Sequence, residues 1–251
     1  EEEDDVLEDL IKVFMEIFNY VEGREHVKDT FPLVELIFHT SNMDVRKEMI
    51  IYLRHIIDKQ DEFSNVEKDL FELMKKLANT EDCSNENGFV ELSSEFFGDF
   101  KDKYRNQIYN LYIQFSQKKN QGKAIKIQIS ENLKKISKFL KKSEFFEIFN
   151  YLMEEKCDVV RFNLVEALGN LKEKEKSELD EYEDFIGEKI NKFCEDESWR
   201  VRLMLAKFIP EIFDLVKKIT ENNNNSELKK IILKAYLKLL QDKEGEVRSM
   251  A

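Results

Sequence analysis

Side-chain catalysis needs a nucleophile, a base or metal ligands at workable spacing, and this chain of 251 residues is poor in all three. Its histidines are His26, His39 and His55, and its cysteines are Cys83, Cys157 and Cys194. The cysteines lie 74 and 37 residues apart (157 − 83 and 194 − 157), which suits neither a disulfide framework nor a close pair of metal ligands. No G-x-x-x-x-G-K-[ST] loop is present to cradle a phosphate, and no G-x-S-x-G turn to present a serine. A His-Glu pair of the kind found in helical-repeat iron hydroxylases is also missing. Carboxylates recur everywhere, so none stands out as a general acid or base. The expectation is no enzyme: no catalytic residues, no metal and no cofactor.

The pattern that does recur is an arginine after an apolar residue, at Val45-Arg46, Val160-Arg161, Val201-Arg202 and Val247-Arg248. An aspartate precedes the last two arginines by six residues each, Asp196 before Arg202 and Asp242 before Arg248. A guanidinium buried at such a turn must be satisfied by carboxylate and carbonyl acceptors, because an unpaired buried charge is too costly to keep. The expected chemistry is therefore a structural ion-pair ladder through Arg46, Arg161, Arg202, Asp242 and Arg248.

The spacing of the ladder defines the elements that carry it. The arginines are 41 (202 − 161) and 46 (248 − 202) residues apart, the period of two-helix repeats. The interval from Arg46 to Arg161 divides into three near-equal parts, with degenerate copies at Val90 and Ile125, where Glu91 and Lys126 replace the arginine. Helical spacing follows each, through Ser93, Phe97, Phe100 and Tyr104 and through Ile129, Leu133, Ile136 and Leu140. A stripe of Val6, Leu10, Val13, Ile17 and Val21 adds one more copy. Seven second helices are thus expected to start near 6, 45, 90, 125, 160, 201 and 247, as one array over 1–251, incomplete at both ends. First helices fall between them, as at Val66–Leu77 and Tyr182–Phe193. With only 7 Gly and 2 Pro the chain lacks the turn chemistry of a sheet protein. Aliphatic and aromatic residues at 42% against 37% charged give each helix one apolar and one solvated face. The fold expected is all-α, an α-solenoid of stacked antiparallel helix pairs.

The run Asp196-Glu197-Ser198-Trp199-Arg200-Val201-Arg202 resembles HEAT repeats, and more narrowly those of the scaffold (A) regulatory subunit of protein phosphatase 2A. Glu246-Val247-Arg248-Ser249-Met250-Ala251 resembles the E-V-R-x-x-A segment that follows about one repeat later in that family. Val160–Ala167 is similar to the preceding repeat, and Phe31–Leu36 with Val45-Arg46 to the second. Departures are the missing arginines at Glu91 and Lys126, the longer turn Asp82–Gly88 and the run Asn222–Asn225. The resemblance covers the N-terminal half of the scaffold and implies a non-catalytic subunit whose intra-repeat turns bind regulatory B-type subunits. By position, Asp158, Asp196, Glu197, Ser198, Trp199 and Arg200 inherit that contact. The catalytic subunit would be held by C-terminal repeats beyond this sequence. A karyopherin-like HEAT solenoid wrapping basic cargo is the competing reading.

A net charge of −12 argues against binding a nucleic-acid backbone and favours basic partners. The basic stretch Lys118–Lys142 reads as a solvated helix face, with Lys134, Lys135, Lys138 and Lys142 opposite the apolar stripe. No run approaches 18 apolar residues, and Glu1–Asp5 is acidic where a signal peptide would be basic, so no membrane association is expected. Scattered cysteines suit a reducing compartment, which implies a cytoplasmic location with the nucleus also compatible. The sequon at Asn224-Asn225-Ser226 is read as chance, and Pro210 is expected to kink its helix.

Overall fold

The computed structural model describes residues 2–20, 28–39, 42–58, 63–79, 83–118, 122–179, 181–221 and 226–251. Val21, His26, Asp82 and the Asn222–Asn225 run lie outside the described residues, as does the side chain of Cys83. The chain is an all-α helical-repeat protein of the solenoid class, with no strand among the described residues. Two compact units divide it, Glu1–Tyr112 and Ile113–Ala251, the boundary falling inside one helix.

The first unit holds α1 (Glu2–Tyr20), α2 (Phe31–Phe38), α3 (Met43–Asp58), α4 (Ser64–Ala78), α5 (Cys83–Phe96) and the start of α6 (Asp102–Gln117). Second helices stack in the order α1, α3, α5, while the first helices α2 and α4 stack beside them. The second unit continues the scheme with α7 (Lys123–Ile136), α8 (Lys142–Met153), α9 (Asp158–Gly169), a short α10 (Lys176–Leu179), α11 (Glu183–Cys194), α12 (Trp199–Ile219), α13 (Glu227–Leu239) and α14 (Gly245–Met250). There α7, α9, α12 and α14 pack in succession, and α11 packs on α13. Such neighbour-on-neighbour packing makes stability a sum over adjacent repeats.

Local chemistry sets the helix starts. Asn42 accepts from the Asp44 and Val45 amides at 2.9 and 3.3 Å, and the Ser226 hydroxyl accepts from Leu228 N at 3.1 Å, each relieving a donor the helix cannot satisfy. Before α7 the backbone turns through φ +132° at Gly122, a conformation that a β-carbon would oppose. The core is aromatic. In the second unit Phe146 stacks on Phe185 at 3.9 Å, and Phe145 and Phe149 meet Tyr182, Phe185 and Phe193, joining α8 to α11.

Three sequence expectations need adjustment. The helix expected to start near Val90 begins at Cys83, where Gly88 lies against Phe38 of α2 and Phe89 is buried facing Tyr112 of α6, so packing holds Asn- and Ser-rich sequence helical. That helix ends at Phe96, so the stripe read through Tyr104 spans a break between α5 and α6, with Phe97 and Phe100 buried in the link. On α1 the stripe Val6, Leu10, Val13 and Ile17 faces outward, whereas among the described side chains of this helix Ile11 is the buried one. Helix α3 packs on the flank carrying Phe14, whose ring meets Tyr52 edge-on at 5.9 Å. Helix α12 runs unbroken from Trp199 to Ile219 with Pro210 inside it.

Candidate functional site

The repeated arginines open the second helices, and each ends up as the hub of a turn. Arg202 forks onto Asp242 of the next repeat, Nε to Oδ2 at 2.6 Å and Nη2 to Oδ1 at 3.0 Å. Its third nitrogen donates back to the carbonyls of Asp196 and Glu197 at 2.8 and 3.3 Å. Arg161 repeats this on Asp196 at 2.7 and 2.9 Å and on the Glu155 carbonyl at 2.6 Å. Arg248 donates to the carbonyls of Asp242 and Lys243. The aspartates also accept from the amide two residues on, Asp196 from Ser198 N and Asp242 from Glu244 N, each at 2.9 Å. A single carboxylate thus closes its own turn and receives the previous repeat's arginine.

The degenerate repeats solve the same problem with other residues. Arg46 forks onto Glu91 at 2.8 and 3.0 Å, so the position that lost its arginine serves as the acceptor. Lys126, buried in place of an arginine, pairs with Glu155. Hydrogen bonding to Asp196 and to Asp242 raises the affinity of Arg161 and of Arg202 for their protons against the opposing effect of burial. The same bond from Arg202 holds the Asp242 carboxyl below the usual carboxylate range.

The six residues assigned to partner contact divide by exposure. Asp196 is committed to Arg161 and to its own turn, and its side chain is buried. Asp158 accepts from the Ser198 hydroxyl at 2.9 Å and lies 3.8 Å from Arg200 Nη1, tying one turn to the next. What remains outward is Glu197, Trp199 and Arg200. Trp199 is the first residue of α12 and is 36% exposed, with the Arg200 guanidinium 5.8 Å from its ring centroid. The turn therefore presents a flat aromatic surface between a cation and a carboxylate, on a backbone fixed by charge-assisted hydrogen bonds.

A second ladder escaped the sequence reading. Lys174 Nζ donates to the carbonyls of Lys138 and Leu140 at 3.2 and 2.9 Å, and Lys218 Nζ to those of Lys172 and Lys174. These ammonium groups cap carbonyls at the ends of the preceding repeat's second helix, and burial lowers the Lys174 pKa. Their separation of 44 residues was the available signal, hidden in a lysine-rich chain. Of the basic stretch, Lys134 pairs with Glu166 and Lys142 with Glu181, across to the next repeat.

Among the described residues no group of three or more His, Cys, Asp or Glu side chains could hold a metal ion. Among them also, no helix is long and apolar enough to cross a membrane. No protein-family model matches the chain, and no curated protein sequence matches it. A solved crystal structure described as an engineered protein aligns with 88% of this chain and 94% of its own at 10% identity, with a TM-score of 0.49. At that distance the likeness identifies neither family nor function.

Proposed function

We propose that the chain is a non-catalytic helical-repeat scaffold that binds another protein through its intra-repeat turns, with the turn Asp196–Arg202 as the principal contact. The observation that carries this reading is Trp199, the chain's single tryptophan, held outward beside Arg200 and Glu197 on a turn fixed by two arginine forks. Tryptophan and arginine dominate the energetics of protein interfaces, and a turn already ordered loses little entropy on binding. The resemblance of this turn to the phosphatase 2A scaffold supplies the partner: a regulatory B-type subunit, dephosphorylation belonging to a catalytic subunit held elsewhere.

The test is recovery of bound proteins from eukaryotic cell extract, read by mass spectrometry, followed by calorimetry with a purified B-type subunit. Trp199→Ala should weaken that binding by roughly 2 kcal/mol or more, with helical circular dichroism unchanged. Recovery of nucleotide-switched transport factors or basic cargo in place of phosphatase subunits would replace this reading with the karyopherin one. Binding of a B-type subunit that is indifferent to Trp199→Ala and Arg200→Glu would move the contact off this turn.

A further inference from the structure

We infer, on the footing that the turn Asp196–Arg202 is a partner contact, that the partner lays an extended segment across three successive turns. That segment carries acidic, basic and acidic side chains, in that order, about three residues apart. Lys156, Glu197 and Lys243 stand at one position of the repeat, each five residues before a ladder arginine (161 − 156, 202 − 197 and 248 − 243). Their signs alternate along the array. All three are exposed, the Glu197 side chain 88% so. Helix α12, which follows Glu197, has α9 on one side and α14 on the other, so stacked repeats leave this position open.

The ladder fixes where these side chains start. Arg202 Nη1 donates to the Glu197 carbonyl at 3.3 Å, and Arg248 Nη1 to the Lys243 carbonyl at 2.9 Å. Arg161 Nη1 donates to the carbonyl of Glu155, next to Lys156, at 2.6 Å. The forks from Arg161 to Asp196 and from Arg202 to Asp242 then lock each turn to the next. Between the second and third turns lies a cleft of about 420 Å³, to which one repeat contributes Glu195 and Glu197 and the next contributes Lys238, Gln241 and Lys243. Glu195 is taken by Lys238 at 2.9 Å, whereas Glu197 lies 3.7 Å from an Arg161 already forked onto Asp196.

Spacing sets the register. Stacked helices lie about 8–10 Å apart and an extended chain advances about 3.3 Å per residue, so one repeat corresponds to about three residues of a crossing strand. A segment with alternating charges at every third residue meets Lys156, Glu197 and Lys243 in turn, and its pattern is the same in both chain directions. A net charge of −12 would by itself favour any basic segment. The alternating tips select against a uniformly basic one, because it would set like charges together at Lys156 and at Lys243.

Fluorescence anisotropy on the whole chain at low salt tests this with three labelled peptides. The first is Glu-Ser-Ser-Arg-Ser-Ser-Glu, the second its charge inverse Arg-Ser-Ser-Glu-Ser-Ser-Arg, and the third has the first's composition with Glu-Arg-Glu contiguous. The wild type should bind the first roughly tenfold more tightly than either of the others, against the pull of its own net charge, and added salt should weaken that binding. Lys156→Glu/Glu197→Lys/Lys243→Glu, all at exposed positions and checked for unchanged helical circular dichroism, should prefer the inverse peptide instead. Equal binding of the three, binding of none, or a preference that the triple variant keeps would overturn the proposal. A B-type subunit bound through Trp199 yet indifferent to the triple variant overturns it while leaving the turn as the contact. A wild type that prefers the first peptide but binds no B-type subunit upholds it and replaces that partner.

Discussion

Arg202→Ala removes the hub of one turn, and its cost follows from what it leaves behind. The side chains of Arg202 and Asp242 are 7% and 9% exposed, so the carboxylate stays buried when its forked partner is gone. The carbonyls of Asp196 and Glu197 lose a donor in the same step. Breaking a buried pair from one side costs about 3–5 kcal/mol. Arg202→Lys keeps the charge but cannot fork, so its loss should fall between alanine and wild type. Urea unfolding followed by Trp199 fluorescence reads the effect in the second unit, since the chain's only tryptophan begins the helix that carries Arg202. The pH dependence has a fixed sign: Arg202 depresses the folded pKa of Asp242. Its contribution is therefore full above the unfolded aspartate value of about 3.9 and is lost as pH falls through the lower folded value. The stability gap between wild type and Arg202→Ala should be level from about pH 7 to 5 and narrow below about pH 4. A loss under about 1 kcal/mol, the worth of an exposed pair, or a gap that widens on acidification, would refute the reasoning.

Two further outcomes follow from packing. Gly88→Ala places a β-carbon 2.6 Å from Cδ1 of the buried Phe38 ring, so it should destabilise the first unit by roughly 1–3 kcal/mol by thermal melting, although alanine is the better helix former. Cys194 is buried and its thiol pKa is pushed up, whereas Cys157 is half-buried, so peptide mapping after brief alkylation should find Cys157 modified first and Cys194 only on unfolding.

The sequence by itself determined the helical class, the repeat and the register of the arginine ladder. Scarce glycine and proline argue against sheet architectures, and the apolar-arginine pairs recur at a period that stacked helix pairs produce. It also singled out Trp199, since nothing in the helical stripe around it calls for a large aromatic. Tertiary structure decided which groups meet. Glu91 accepts from Arg46 and Lys126 stands in for an arginine, because an acceptor or cation is judged by the repeat stacked on it, which local spacing does not contain. The same holds for Asp196, whose type and position suggested partner contact but whose oxygens are taken by Arg161 and Ser198. The outward stripe of α1 is the plainest instance. Periodicity says that Val6, Leu10, Val13 and Ile17 share a face, and only tertiary packing decides that Ile11 is buried while that face is left open.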